Sequence, residues 1–300
     1  MDHEIVIIVG SFAGLAAALE LVRARRRALL IDGDRPHNRM AEAVHGIPGQ
    51  DGHAPTAVNA ALVAGVQCYP GLDRIDGVVA SAEATDGCFG LTLETGDTIA
   101  APRLILAHGV SDDLPDVPGL AERGGRSVHH CPYCHGYEVS GQRLAGIGFN
   151  HASLVQALVL PDWRGEVTLF PDDRVDLSDD DRSALKARGV AMEDDAVAAI
   201  EGRGDSVEAV RLVDGRSIPA DSVFTLSATR PNGDLVEQLG CATVDADFGP
   251  YLETNFWNQT SVAGVYAADY IARPFQNVTL AMADGVNAAV GTHHAMVLED

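Results

Sequence analysis

The chain has 300 residues, with 21 basic and 43 acidic side chains and a formal net charge of −22. Hydrophobic residues make up 46%, enough to build a core, which argues against disorder. A chain this acidic lacks the basic surface that nucleic acid or an anionic membrane needs, and no apolar run approaches a membrane span.

The N-terminus, Met1-Asp2-His3-Glu4, has no basic n-region and leads straight into an apolar run, so a cytoplasmic location is expected. Ile5–Val9 reads as a strand. A small-residue turn follows, Gly10-Ser11-Phe12-Ala13-Gly14, then a helix from Leu15 to the arginine cluster 23–27, then a strand from Ala28 to Ile31 ending at Asp32. Strand, glycine turn, helix, strand and terminal acid are the parts of a dinucleotide-binding unit, where the acid bonds ribose hydroxyls. Short alternating strands run from about Leu91 to Val110, and Asp112–Gly119 reads as a linker rich in acid and proline. A second βαβ pattern follows: Leu144–Gly148, a helix from Ala152 to Leu160, and a strand at Val167–Phe170. A helix is expected from Ser178, a hairpin and strand between Val207 and Leu226, a buried strand at Val265–Ala268, and a last helix from about Asn277.

Two βαβ units with a late return strand predict an α/β protein of two Rossmann-like domains, one inserted in the other. The outer domain is expected over 1–114 plus 245–300, the inserted one over 115–244.

Five cysteines are present, and an odd number argues against a structural disulfide framework. Cys68, Cys88 and Cys241 read as small buried hydrophobes. Cys131-Pro132-Tyr133-Cys134 places two sulfurs on one turn, able to cycle between dithiol and disulfide, and His135 beside them could move protons. The alternative is half of a zinc site, which needs two more ligands; His129, His130 and His135 are at hand. His129 and His130 otherwise read as satisfied polar groups, and Trp163 and Trp257 as packing.

Cys131-Pro132-Tyr133-Cys134-His135-Gly136-Tyr137-Glu138 resembles the active-site segment of thioredoxin-reductase-like flavoproteins. It is most similar to the dithiol-oxidase branch that forms disulfides in gliotoxin- and holomycin-type natural products. Supporting segments are Ser11–Leu15, Ile31-Asp32, Arg35–Arg39, His45–Gly52, Leu114–Gly119 and Arg273–Ala281, so the resemblance spans nearly the whole chain. It implies the thioredoxin-reductase-like fold, FAD in the outer domain and a homodimer. It also implies a small-molecule dithiol or disulfide as substrate. Cys131 would exchange with substrate, Cys134 would face the flavin, and His135 would be the acid–base group. The implied cofactor contacts come from Gly10, Ser11, Ala13, Gly14 and Asp32, from Asn38, Arg39, Gln50 and Asp51, and from Asp269, Gln276, Asn277 and Val278. No resident metal is implied.

Several positions depart from the family. Val9 stands where the first phosphate turn carries a glycine. The return strand reads Ala267-Ala268-Asp269-Tyr270 against the family pattern Ala-Ala-Gly-Asp. Either Asp269 sits at the glycine and Tyr270 at the aspartate, or a one-residue shift keeps Asp269 as the aspartate. His108 replaces a usual threonine. In the inserted domain Asn150 stands at a glycine of the second dinucleotide turn, and Asp172-Asp173 follows the next strand where two acids would repel NADPH. NADPH is therefore not expected, and the FAD motif is damaged at Val9 and Asp269-Tyr270. Three readings follow: oxidation of a small-molecule dithiol through Cys131 and Cys134; the same fold turned to flavin-free catalysis on a biosynthetic small molecule; or a catalytically silent partner protein.

Overall fold

A computed structural model describes residues 3–85, 87–275 and 277–298. The chain divides into two compact units. One comprises Met1–Arg39, Gly46–Ser111 and Thr229–Asp300; the other comprises Met40–His45 and Asp112–Ala228.

The first unit opens with β1 (Ile5–Ile8), α1 (Phe12–Arg23) and β2 (Ala28–Asp32), then a 3-10 turn at His37–Met40. Next come α2 (Pro55–Gln67), β3 (Leu72–Asp76), and an antiparallel sheet of β4 (Val79–Thr85), β5 (Cys88–Leu93) and β6 (Thr98–Ala101). β7 (Leu104–Leu106) closes this stretch, and β8 (Val110–Asp113) leads out of the unit. The second unit carries β9 (Val128–His129), α3 (Pro132–His135), β10 (Arg143–Ile147), α4 (Ala152–Val159), β11 (Glu166–Phe170), α5 (Asp179–Ala187) and β12 (Ala191–Met192). It continues through β13 (Val197–Glu201), β14 (Ala209–Leu212), β15 (Ser217–Pro219) and β16 (Ser222–Thr225). The chain returns through β17 (Ala228–Pro231), α6 (Leu235–Gln238), β18 (Thr243–Val244), β19 (Tyr251–Leu252), β20 (Val265–Ala267) and α7 (Val278–Leu298).

Each unit is built on a five-stranded parallel sheet. The first has the order β20-β7-β1-β2-β3, the second β12-β11-β10-β16-β9. The strands of a parallel sheet covered on both faces are continuous apolar runs. β1, β2 and β7 are accordingly buried at every position. α1 and α7 cover one face of the first sheet with Leu15, Ala17, Leu21, Ala288 and Ala289; the antiparallel sheet and α6 cover the other with Leu91, Leu235 and Leu239. This is the two-Rossmann-domain fold expected.

Three expectations are corrected. The chain re-enters the first unit at Thr229 instead of 245, because Leu235, Val236, Leu239 and Cys241 pack into that unit's core. The segment expected as a linker contributes Val117, which with Leu120 lies in the second unit's core. β1 stops at Ile8, because Val9 takes φ +84° and cannot continue a strand. Among the described residues, no helix is long and apolar enough to cross a membrane.

Candidate functional site

In the second unit, Cys131 ends an extended stretch (φ −118°, ψ 117°) and Pro132 begins the single turn of α3. Proline at the first helical position fixes φ and has no amide to leave unsatisfied. The turn brings the two cysteine Cα atoms within 5.3 Å, and the sulfurs are bonded as a disulfide. Gly136 ends the turn because a Cβ there would strike Trp163, 2.8 Å away, and the Pro132 carbonyl oxygen. Trp163 also meets the exposed Tyr133 ring edge-on at 5.4 Å, so its expected packing role holds. Cys131 is the buried residue of the pair and Cys134 is half-buried. Residue burial thus gives no support to Cys131 as the more accessible of the two.

Histidines gather around this turn. His135 stacks on His129 with ring centroids 5.0 Å apart, and His45 meets His135 edge-on at 6.3 Å. His45 Nε2 lies 3.4 Å from Glu138 Oε1. Burial, and then His45, lower the His135 pKa, with Glu138 pulling the other way. His135 is therefore a neutral ring at neutral pH, able to accept a proton. The reading of His129 as a satisfied polar group is wrong. Both its ring nitrogens are buried with no partner, its ring leans on Phe224, and burial pushes its pKa down to about 4. His130 accepts at its carbonyl from Gln156 Nε2 (2.8 Å). No group of three or more His, Cys, Asp or Glu among the described residues is placed to hold a metal ion.

The dinucleotide turn of the second unit is closed by its own side chains. Asn150 Oδ1 accepts from the Ala152 amide (2.9 Å), and Ser153 Oγ accepts from the Phe149 amide (3.0 Å). These are the donors a phosphate would use at a helix N-terminus. After β11, Asp172 is buried, paired with Arg174, and accepts from the Val197 amide (2.6 Å).

The first unit's crevice outside the carboxyl ends of its parallel strands is where a dinucleotide would lie. Its first turn keeps the close backbone approach. A Cβ on Gly14 would sit 1.9 Å from the Val9 carbonyl oxygen, and one on Gly10 would sit 2.5 Å from Asp32 Oδ2. Ser11 caps α1 by position but without a side-chain bond, and Ala13 faces α7, its carbonyl oxygen against Gly285. Asp32 accepts from the Asp34 amide (2.9 Å) and pairs with Arg74 at 3.1 Å. Asn38 and Arg39 lie in the 3-10 turn, and Asn38 Oδ1 is buried without a partner. Gln50 and Asp51 lie in the loop from Gly46, whose amide donates to Asp51 (2.9 Å). Asn277 Oδ1 caps α7 by accepting from the Leu280 amide, Val278 begins that helix, and Thr279 Oγ1 donates to the Gly46 carbonyl (2.6 Å). Gln276 lies outside the described residues.

Two of the glycine replacements stand in the conformation that favours glycine: Val9 at φ +84° and Asp269 at φ +74°. Ala268 is extended and Asp269 takes the left-handed conformation, as a glycine would in the first of the two registers. Asp269 is half-buried, and the partial loss of water around its carboxyl group raises its pKa to about 6. The Tyr270 amide and His37 counteract that rise, and the Asp284 carboxylate adds to it. Near pH 7 it carries mostly negative charge. A like charge about 4 Å away in a partly buried setting costs about 4 kcal/mol, more than one hydrogen bond returns. A carboxylate at this turn would oppose the negative charge of a pyrophosphate placed against it. His108, read from the sequence as replacing a usual threonine, lies just beyond the end of β7. It is buried with neither ring nitrogen bonded, and burial lowers its pKa to about 4.

Residues 3–285 match the pyridine nucleotide-disulphide oxidoreductase family. A thioredoxin reductase of Leptosphaeria maculans, sirT, is 30% identical over 97% of this chain and 93% of its own length. The crystal structure of an oxidoreductase from Agrobacterium tumefaciens matches with a TM-score of 0.95 and 39% identity, covering 100% of both chains. That of HlmI matches with a TM-score of 0.91 and 35% identity over 99% of this chain and 93% of the other. The chain is an enzyme of the pyridine nucleotide-disulphide oxidoreductase family, and within it is thioredoxin-reductase-like.

Proposed function

We propose that the protein oxidises a small-molecule dithiol by thiol–disulfide exchange at Cys131 and Cys134, without NADPH. The observation that carries this reading is the bonded Cys131–Cys134 pair beside a neutral, half-buried His135. His135 takes the proton of one substrate thiol. The thiolate attacks one sulfur of the pair, forming a mixed disulfide and releasing the other cysteine as a thiolate, which His135 can protonate. The second substrate thiol then attacks its own mixed-disulfide sulfur and releases the remaining cysteine. The substrate loses two electrons and two protons, and the cysteine pair gains both. The exposed rings of Tyr133 and Tyr137 flank the pair and suit an apolar small molecule better than a highly charged one. Independence from NADPH is supported by the second unit's turn, where Asn150 and Ser153 hold the amides a phosphate would need.

The test is a single-turnover reaction with dithiothreitol. Two new protein thiols should appear for each dithiol oxidised, and in the absence of NADPH. Single Cys131→Ser and Cys134→Ser variants should lose this reaction, and mass spectrometry of the mixed disulfide shows which sulfur is attacked. His135→Ala should slow it about 100-fold at neutral pH, the scale of one acid–base group. Unchanged rates in both serine variants would move the chemistry away from the pair.

A further inference from the structure

We propose that His129 is a positioning residue for the thiol exchange: its buried, unbonded imidazole seats the His135 ring and turns its dipole toward the positive charge that His135 acquires with the thiol proton. This rests on the acid–base role of His135 given above. The seat is built from the sheet outward. His129 ends β9, and its backbone is in register with Phe224 of β16. Phe224 is fully buried, and its ring backs that of His129 at 5.3 Å. On the other side lies His135, with ring centroids 5.0 Å apart and planes 27° apart. His135 ends α3, a turn of only four residues. Among the described residues no hydrogen bond holds its ring, and its ring contacts are His129 and His45. A platform carried on a strand holds its partner more closely than one on a loop.

Packing alone does not account for an imidazole at this place. His129 is 7% exposed, and neither ring nitrogen has a partner. A phenylalanine would fill the space without that deficit. What the imidazole adds is polarity that is not already spent. A hydrogen bond to one ring nitrogen would lock the tautomer. Here neither nitrogen is held, so the ring dipole can follow a change of charge beside it. That change comes with the exchange, when His135 takes the proton of the substrate thiol. His129 does not compete for this proton, because burial, and then His135, push its pKa down to about 4. The other groups facing His135 pull in opposite directions: His45 disfavours charge on it and Glu138 favours it. Loss of the His129 dipole therefore makes His135 a weaker base while its seat stays in place.

His129→Phe keeps a ring on the seat and removes the dipole. Its rate in single-turnover oxidation of dithiothreitol should fall about three- to tenfold, the Brønsted cost of making His135 about tenfold less basic. The acid limb of its rate–pH profile should move to lower pH, a change that loss of stability would not produce. Added to His135→Ala, it should slow the reaction no further, since it acts through that ring. In wild-type protein, NMR of the imidazole nitrogens should show both tautomers of His129 above the His135 titration and one below it. An unchanged rate and profile in His129→Phe, a further slowing in the double variant, or a single His129 tautomer throughout overturns the proposal. Should the variants fail to fold, the tautomer measurement on wild-type protein decides it. His135→Ala at the wild-type rate would remove the acid–base reading itself. A slow His135→Ala beside an unchanged His129→Phe removes only this proposal.

Discussion

At the scale of single residues, the chain tolerates strain where a small residue would be relaxed. Val9 at φ +84° costs about 1–3 kcal/mol, because a β-branched side chain crowds its own backbone there. Glycine gives back roughly 0.5–1 kcal/mol in the unfolded chain's freedom. Val9→Gly also gives up a side chain packed against the first unit's core, so strain relief and lost burial should nearly cancel, with a change within about 1 kcal/mol read from the urea midpoint at constant slope. The substitution was legible in the sequence only against the glycine that the resemblance expects. Its conformation was not, since composition cannot report φ. His129 and His108 were illegible for a related reason. A histidine is written the same way whether water surrounds it or not. Cys131, Cys134 and His135, by contrast, were legible because their chemistry lies in spacing along the chain, which one turn of helix preserves.

Among the elements, those cut by glycine turns were found in the right order and type, with ends off by up to three residues. β1, α1 and β2, then β10, α4 and β11, are apolar runs cut by glycine turns, and α5 begins at Ser178, which forms a capping box with Asp181. α2 escaped because residues 55–67 carry no charge, so no polar face marks it as a helix. The contact of α1 with α7 depends on small residues. A Cβ on Gly285 would lie 2.1 Å from the Ala13 carbonyl oxygen, which is backbone and cannot swing away. Gly285→Ala should push the two helices apart and destabilise the protein by about 1–3 kcal/mol in urea unfolding. An alanine on the exposed side of α7, such as Val286→Ala, should change stability by no more than about 0.5 kcal/mol.

For the whole molecule, the buried His108 and His129 and the half-buried Asp269 carry large shifts across the acid range, and His135 is shifted in the same sense as the two histidines. His108 and His129 have folded pKa values lowered to about 4, so between pH 4 and 6.5 the unfolded chain binds more protons. Their contribution is present above pH 6.5 and lost as the pH falls, about 3 kcal/mol each. Asp269, raised to about 6, acts in the opposite sense: the folded chain holds the extra proton, and about 3 kcal/mol is gained as the pH falls from 6 to 4. Two histidines outweigh one carboxyl group, so stability should fall by about 3 kcal/mol from pH 6.5 to 4. In His108→Leu, His129 and Asp269 nearly cancel, and a urea series across this range should be flatter, with the remaining slope coming from His135. The two-unit plan was legible from two βαβ patterns, but the re-entry at Thr229 was not, since a boundary is fixed by which core a segment joins. If both nucleotide turns refuse their cofactors, as proposed for NADPH, they would do so by routes of unequal reversibility. In the first unit the backbone still follows the old path around Gly10 and Gly14, and refusal rests on a few side chains that point mutation can exchange. In the second, Asn150 and Ser153 have become structural supports of the turn itself. Removing them unravels what they hold up, so that loss behaves as a ratchet while the first remains a lock whose key can be recut.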